Sequence, residues 1–149
     1  MKIYFAGSIR GGRGDVRRYA QLIESLRAYG EVLTEHVGSK TLSAQGELHL
    51  PEAHIYHRDM SWLAEADVVV AEVTTPSLGV GYELAAAERF HKPVLCLYRH
   101  HPDQRVSAMV RGNANLRLNE YRSASDVATL LREFFLKLPQ TAKRVTVQT

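Results

Sequence analysis

Two glycine-rich segments and the carboxylates near them are where this sequence could do chemistry. The first, Gly7-Ser8-Ile9-Arg10-Gly11-Gly12-Arg13-Gly14, directly follows an apolar run and precedes a helical pattern. Glycines in such a turn let backbone N–H groups approach an anion closely, and the helix start adds positive potential. It is not a Walker loop, because Arg13-Gly14 stands where Lys and Ser/Thr belong; it is not GxGxxG, because Ile9 occupies the second glycine position. Two readings stay open: a plain flexible strand-to-helix turn, or a phosphate or nucleotide contact, which Ser8, Arg10 and the helix start favour.

The second segment is Thr74-Thr75-Pro76-Ser77-Leu78-Gly79-Val80-Gly81-Tyr82-Glu83-Leu84. Ser77 can cap a helix, and the glycines again let backbone donors face a ligand. Glu83 is expected in or near the first helical turn, where the dipole favours an ionised carboxylate. Charged beside an anion-binding turn, it is a candidate nucleophile or base; otherwise it is a helix-stabilising surface Glu. Asp59 shares a helical stretch with Trp62 and Leu63, and an apolar setting raises a carboxyl toward the range of a general acid. Paired with an ionised Glu83, it supplies the acid-plus-nucleophile logic of glycoside cleavage. Equally, it reads as a solvated Asp paired with Arg58. Asp67 and Glu72, which bracket a strand, rank behind these two.

The remaining reactive residue types carry less. His54 and His57 share a helix face and His100-His101 are adjacent, but no HExxH or carboxylate cluster accompanies them, so no metal site is expected. Cys96, the one cysteine, sits in an apolar run and reads as an inert core residue. Arg105 to Gly112 is basic and amphipathic: a solvated face, a subunit contact or a phosphate contact.

The elements that must position these residues alternate along the chain. Lys2 to Ala6 reads as a buried strand, and Asp15 to Tyr29 as a helix with Gly30 where a C-terminal cap belongs. Val32-Leu33 suggests a second strand, and Gly38 to Pro51 shows no usable periodicity and is long for a plain connector, as a mobile or a site-covering loop would be. A helix is expected from Pro51 or Glu52 through Ala64, a strand over Asp67–Ala71, a turn at Thr74–Gly79 and a helix over Gly81–Phe90. A strand over Pro93–Tyr98, a short one near Leu116–Leu118 and a helix opened by Ser123 or Ser125 with Asp126 follow. Pro139 to Thr149 reads as a loose tail, leaving residues 1–138 as one domain.

Near-continuous apolar strands alternating with helices predict an α/β fold: a doubly wound, flavodoxin-like or Rossmann-like parallel sheet of five strands. With strand order 2-1-3-4-5, the order reverses between strands one and three, and both glycine segments fall on that crevice. Composition agrees with an ordinary globular chain: 149 residues, 45% apolar, 23% charged, net charge +3. The single cysteine excludes an internal disulfide and a CxxC pair. No apolar run approaches membrane-spanning length and none resembles a signal peptide, so a cytoplasmic setting is expected. The pI of about 9.1 is mildly basic, but no basic stripe interleaved with aromatics points to nucleic acid.

Taken in order, Tyr4 to Gly12, Thr34-Glu35-His36-Val37, Asp59 with Trp62-Leu63, Ala66 to Thr74, Pro76 to Leu84 and Ser107-Ala108-Met109 resemble the 2′-deoxynucleoside 5′-phosphate N-hydrolases. These belong to the nucleoside 2-deoxyribosyltransferase-like superfamily, and the resemblance runs from Lys2 to about Phe135. It implies hydrolysis of the N-glycosidic bond of a deoxynucleoside 5′-monophosphate to free base and 2-deoxyribose 5-phosphate. By the same resemblance, Glu83 would attack C1′ and form a covalent glycosyl-enzyme, Asp59 would protonate or orient the base, and Tyr4 would position Glu83. Gly7, Ser8, Ile9, Arg10 and Gly11, with Ser77, Gly79 and Ser107, would surround phosphate and sugar. Ser107 would reach the neighbouring subunit's site, implying a homodimer, and no metal or organic cofactor is implied. One departure is Ala85-Ala86-Ala87 after Leu84, where relatives often carry Gly and a basic residue. A deoxyribosyltransferase and a non-catalytic nucleotide-sensing module are the alternative functions.

Overall fold

Alternation along the first strand decides which side chains meet which helices. In the computed structural model, which describes residues 1–9, 15–39, 41–43 and 45–139, β1 is Lys2–Ala6. Ile3 and Phe5 enter one apolar cluster, and Tyr4 and Ala6 enter another on the opposite face. β2 (Glu31–Val32), β3 (Val68–Glu72), β4 (Val94–Arg99) and β5 (Leu116–Tyr121) complete a five-stranded sheet of order β2-β1-β3-β4-β5. Every pairing is parallel, with Ile3 opposite Val32 on one side and Val68 on the other. The chain is thus a single α/β domain, and its sheet has the order on which a shared crevice for the two glycine segments depends.

Helices cover both faces, as a parallel sheet requires. α1 (Val16–Leu26) buries Tyr19, Leu22, Ile23 and Leu26 against Ile3 and Phe5. α5 (Ala124–Leu136) covers the same face with Val127, Leu131, Phe134 and Phe135. Ser123 and Asp126 form a reciprocal capping box at its start. The opposite face takes α2 (Glu52–Glu65), which buries Leu63, and α3 (Leu78–Arg89), which buries Val80, Leu84 and Ala87. Lys92 Nζ donates to the carbonyls of Ala64 and Ala66, satisfying acceptors at the end of α2. A short helix, α4 (Ala108–Arg111), precedes β5. Among the described residues no helix is long and apolar enough to cross a membrane.

Several boundaries differ from the sequence reading. α1 ends at Leu26, three residues before Tyr29, whose ring stacks on Phe135 at 4.2 Å. Gly30 is therefore not the helix cap: a Cβ there would lie 2.2 Å from the Met1 carbonyl oxygen, so close backbone approach requires the glycine. β2 is Glu31–Val32 rather than Val32-Leu33, and a 3-10 helix, Glu35–Gly38, follows it. α3 begins at Leu78, three residues earlier than predicted, because Ser77 caps it by accepting from the Val80 N–H. Arg10, Gly11 and tail residues 140–149 lie outside the described residues.

Candidate active site

The strand-order reversal between β1 and β3 opens a cavity of about 660 Å³, bounded by Gly7 and Ile9 after β1, by α2 and by the start of α3. Glu83 and Asp59 both line it, brought together from α3 and α2 across 24 residues of sequence. Glu83 sits on the stripe Val80, Leu84 and Ala87, the face of α3 that packs on the sheet. That stripe carries its carboxylate down to Tyr4, whose phenol is 1% exposed in the middle of β1. Tyr4 Oη donates to Glu83 Oε1 at 2.6 Å.

The electrostatics differ from the expectation of a dipole-held anion. Glu83 is the sixth residue of α3, beyond the first turn where the macrodipole acts strongly. Burial pushes its carboxyl up to about 7; the Tyr4 hydrogen bond opposes that rise, and the nearby negative charge of Asp59 adds to it. Tyr4 in turn is raised far above the ordinary phenol value, mainly by burial and then by Glu83. A phenol that keeps its proton is a permanent donor to the carboxylate.

Asp59 is held differently. Arg58 Nε donates to Asp59 Oδ1 at 2.9 Å, while both Nη atoms grip Glu47, at 3.0 Å to Oε1 and 2.6 Å to Oε2. The guanidinium lies over the Trp62 ring at 4.7 Å. His36, from the 3-10 helix, comes within 3.7 Å of Glu47 through Nε2. Hydrogen bonding from Arg58 holds Glu47 below the usual carboxylate range. The apolar setting of Asp59 expected from Trp62 and Leu63 is thus filled instead by a cation, because Leu63 turns into the core and Trp62 supports Arg58.

The other expected contacts divide in two. Gly7, Ile9, Ser77 and Gly79 line the same cavity. A Cβ built on Gly79 would approach nothing in the protein closer than Ser77 Oγ at 3.7 Å, so internal packing does not demand the glycine. Ser8 is fully buried; its N–H donates to Tyr19 Oη at 3.2 Å, and its Oγ has no partner among the described residues. Arg10 and Gly11 lie outside the described residues. Ser107 is not brought to Glu83 within one chain. It caps α4 and lines a second cavity, of about 730 Å³, on the other side of Ser77 and Leu78.

Glu47 had no marker in the sequence: it lies in the aperiodic stretch before α2, and only the fold sets it against Arg58 eleven residues on. His36 belonged to a recognisable segment but had no assigned role. Glu83 itself had a further signal, a charged residue within the helical stripe 80, 84, 87. Among the described residues no group of three or more His, Cys, Asp or Glu converges as a metal site would.

Known proteins resemble this chain in sequence and fold. The family model described as nucleoside 2-deoxyribosyltransferase matches residues 3–120. A protein of Nematostella vectensis, provisionally named 2′-deoxynucleoside 5′-phosphate N-hydrolase 1, is 53% identical over 144 residues, covering 92% of this chain and 95% of its own length. The 5-hydroxymethyl-dUMP N-hydrolase of Esox lucius is 48% identical over 139 residues, covering 91% of this chain and 96% of its own. The solved structure of the Clostridium botulinum CMP N-glycosidase BcmB superposes with a TM-score of 0.64 at 17% identity, covering 89% of this chain and 99% of its own, a likeness of fold.

Proposed function

This chain belongs to the nucleoside 2-deoxyribosyltransferase family, and on that footing we propose that it is an N-glycosidase hydrolysing 2′-deoxynucleoside 5′-monophosphates to free base and 2-deoxyribose 5-phosphate. The observation that carries this reading is the Tyr4–Glu83 hydrogen bond, whose carboxylate lines the same cavity as Asp59. Relatives at about half identity carry the names of deoxynucleotide N-hydrolases, which supports the same substrate class.

In this mechanism the ionised Glu83 attacks C1′ as the C1′–N bond breaks, and the bonding pair leaves with the base. Asp59 gives the base a proton. Water then attacks C1′, its proton passes to Asp59, and the Glu83 carboxylate is released. Tyr4 keeps its proton throughout and holds one Glu83 oxygen, leaving the other for C1′. Ser77 and Gly79 line the sugar–phosphate side, where the open space above Gly79 lets a ligand approach backbone. The buried Ser8 Oγ, without a partner among the described residues, would serve the phosphate with Gly7 and Ile9, as Arg10 and Gly11 would by the family resemblance.

The working form in this reading is a homodimer in the cytoplasm, with Ser107 contributed to the neighbouring site. Leu78, 97% exposed, and Met109, 83% exposed, flank the second cavity and are the apolar surface such a partner would cover. A panel of deoxynucleoside monophosphates, including 5-hydroxymethyl-dUMP, assayed by chromatography for free base and sugar phosphate tests the reading. Release of base from none of them overturns it. Since the family model is named for a transferase, a free acceptor base belongs in the same assay, and a new nucleotide in place of sugar phosphate would mark transfer.

A further inference from the structure

Arg58 stands behind the cavity and pairs with two carboxylates, Glu47 and Asp59, that line it. Its side chain is 17% exposed, it is shared between two carboxylates, and its Cζ lies 4.7 Å over the centroid of an indole. One carboxylate, Asp59, belongs to the proposed chemistry; the other, Glu47, does not. Glu47 is 15% exposed and comes from the segment between the 3-10 helix and α2. That segment turns on itself through hydrogen bonds from Gly46 N to the Ser43 carbonyl and from Leu50 N to the Glu47 carbonyl, which set Glu47 facing α2.

The geometry fixes more than a staple would need. Bidentate pairing with Glu47 occupies both Nη atoms and sets the plane of the guanidinium. The Trp62 ring, with its centroid 4.7 Å from Cζ, supports the guanidinium by a cation–π contact. With plane and rotation both set, Nε and Nη2 both face Asp59 Oδ1, each at 2.9 Å. One oxygen of Asp59 is thereby held, and the other is left to face a base. Without Glu47, Arg58 is free to swing both Nη atoms onto Asp59 in the usual fork geometry, engaging both its oxygens.

We propose that Glu47 and Arg58 are positioning residues for Asp59: the strap carboxylate orients the guanidinium so that it holds one Asp59 oxygen and leaves the other aimed at the leaving base. This rests on the hydrolase reading, in which Asp59 protonates that base. Neither Glu47 nor Arg58 touches the sugar or the phosphate in this assignment. Their removal is felt in the step that needs a proton and not in binding.

Leaving-group acidity separates that role from a structural one. Glu47→Gln, Arg58→Gln and Arg58→Lys are compared with wild type on dTMP and on 5-bromo-dUMP, whose base departs as a weaker base and needs its proton less. The expected result is a kcat on dTMP lowered about 10- to 100-fold by Glu47→Gln and Arg58→Gln. KM stays within about 2-fold, and the loss on 5-bromo-dUMP is below about 3-fold, because proton delivery is less demanded there. Arg58→Lys keeps the charge but lacks the three-way fork, so it stays impaired on dTMP. Thermal melts by circular dichroism establish that each variant is folded. Equal losses on both substrates, a change confined to KM, or an unchanged kcat would overturn the proposal while the hydrolase reading stands. Absence of base release by wild-type protein from the whole panel of monophosphates overturns that reading and this proposal with it.

Discussion

Glu83 on α3 and Glu72 at the end of β3 make a natural experiment within one domain. Each is pushed above the ordinary carboxylate range, chiefly by burial, and each accepts a hydrogen bond from a buried tyrosine: Tyr4 at 2.6 Å and Tyr121 at 2.9 Å. Around Glu72 every direction is closed. Thr74 donates to it from both N–H and hydroxyl, and the Thr74 hydroxyl also accepts from the Arg99 N–H at 2.8 Å. Arg99 continues to Asp15, which also receives the Thr75 hydroxyl, so the network ties the end of β3 to the start of α1. Around Glu83 there is one donor among the described residues, and beyond it an open cavity. A raised carboxyl beside a tyrosine is therefore not enough to make a site. What differs is that one carboxylate has its acceptor capacity filled by protein, and the other keeps some for a ligand.

The sharpest way to break this comparison is to neutralise each carboxylate. Glu83→Gln is expected to lose at least about 10³-fold in base release from deoxynucleotides while remaining folded, and Glu72→Gln to stay within about 3-fold of wild type. A catalytic loss in Glu72→Gln as large as that in Glu83→Gln would erase the distinction. Stability should show the opposite order. Glu72→Ala strands the Thr74 and Tyr121 donors and is expected to cost about 2–4 kcal/mol in urea denaturation. Glu83 has a folded-state pKa above its unfolded one, so its ionisation disfavours folding as pH rises through about 7. Glu83→Gln is therefore expected to stabilise the protein at pH 8 by on the order of 1–2 kcal/mol, and to do so much less at pH 5. No pH dependence of that difference would mean the carboxyl is not raised.

The smallest expected effect lies in the pH profile. If Glu83 must be ionised, kcat/KM rises with pH through a limb near 7, the value burial sets. The Tyr4 hydrogen bond lowers that value, so Tyr4→Phe moves the limb to higher pH, by about one unit. Tyr121→Phe, which touches only the sealed carboxylate, leaves the limb in place. A limb shifted equally by both would show that the two networks communicate.

How much of this was legible depends on the residue. The strands Lys2–Ala6 and Val68–Glu72 are apolar on both faces and read directly as buried parallel strands. β5 read as three residues and is six, because it is an edge strand whose Arg117, Asn119 and Glu120 interrupt the apolar run. The start of α3 was placed late because Gly79 and Gly81 are poor helix formers; the Ser77 cap overrides them. Arg58 beside Asp59 was visible as a neighbour, yet nothing in the spacing showed Glu47 closing on it from eleven residues away. Side-chain pairing across a loop depends on how that loop turns, and Gly38 to Pro51 carries no periodicity from which to read it.

By itself the sequence determined the alternating α/β architecture and the two glycine turns, because hydrophobic periodicity and turn chemistry are local properties of the chain; the strand order that makes them one crevice is a tertiary property. It also named Glu83, Asp59 and Tyr4. Only the tertiary structure decided their electrical character. Glu83, expected as a charge held by a helix start, lies one turn deeper and is set by burial against β1. Asp59, expected in an apolar niche, faces an arginine that Glu47 holds in place. The energy of a charge depends on everything within several ångströms of it, and those neighbours come from β1, the loop before α2 and α3 at once.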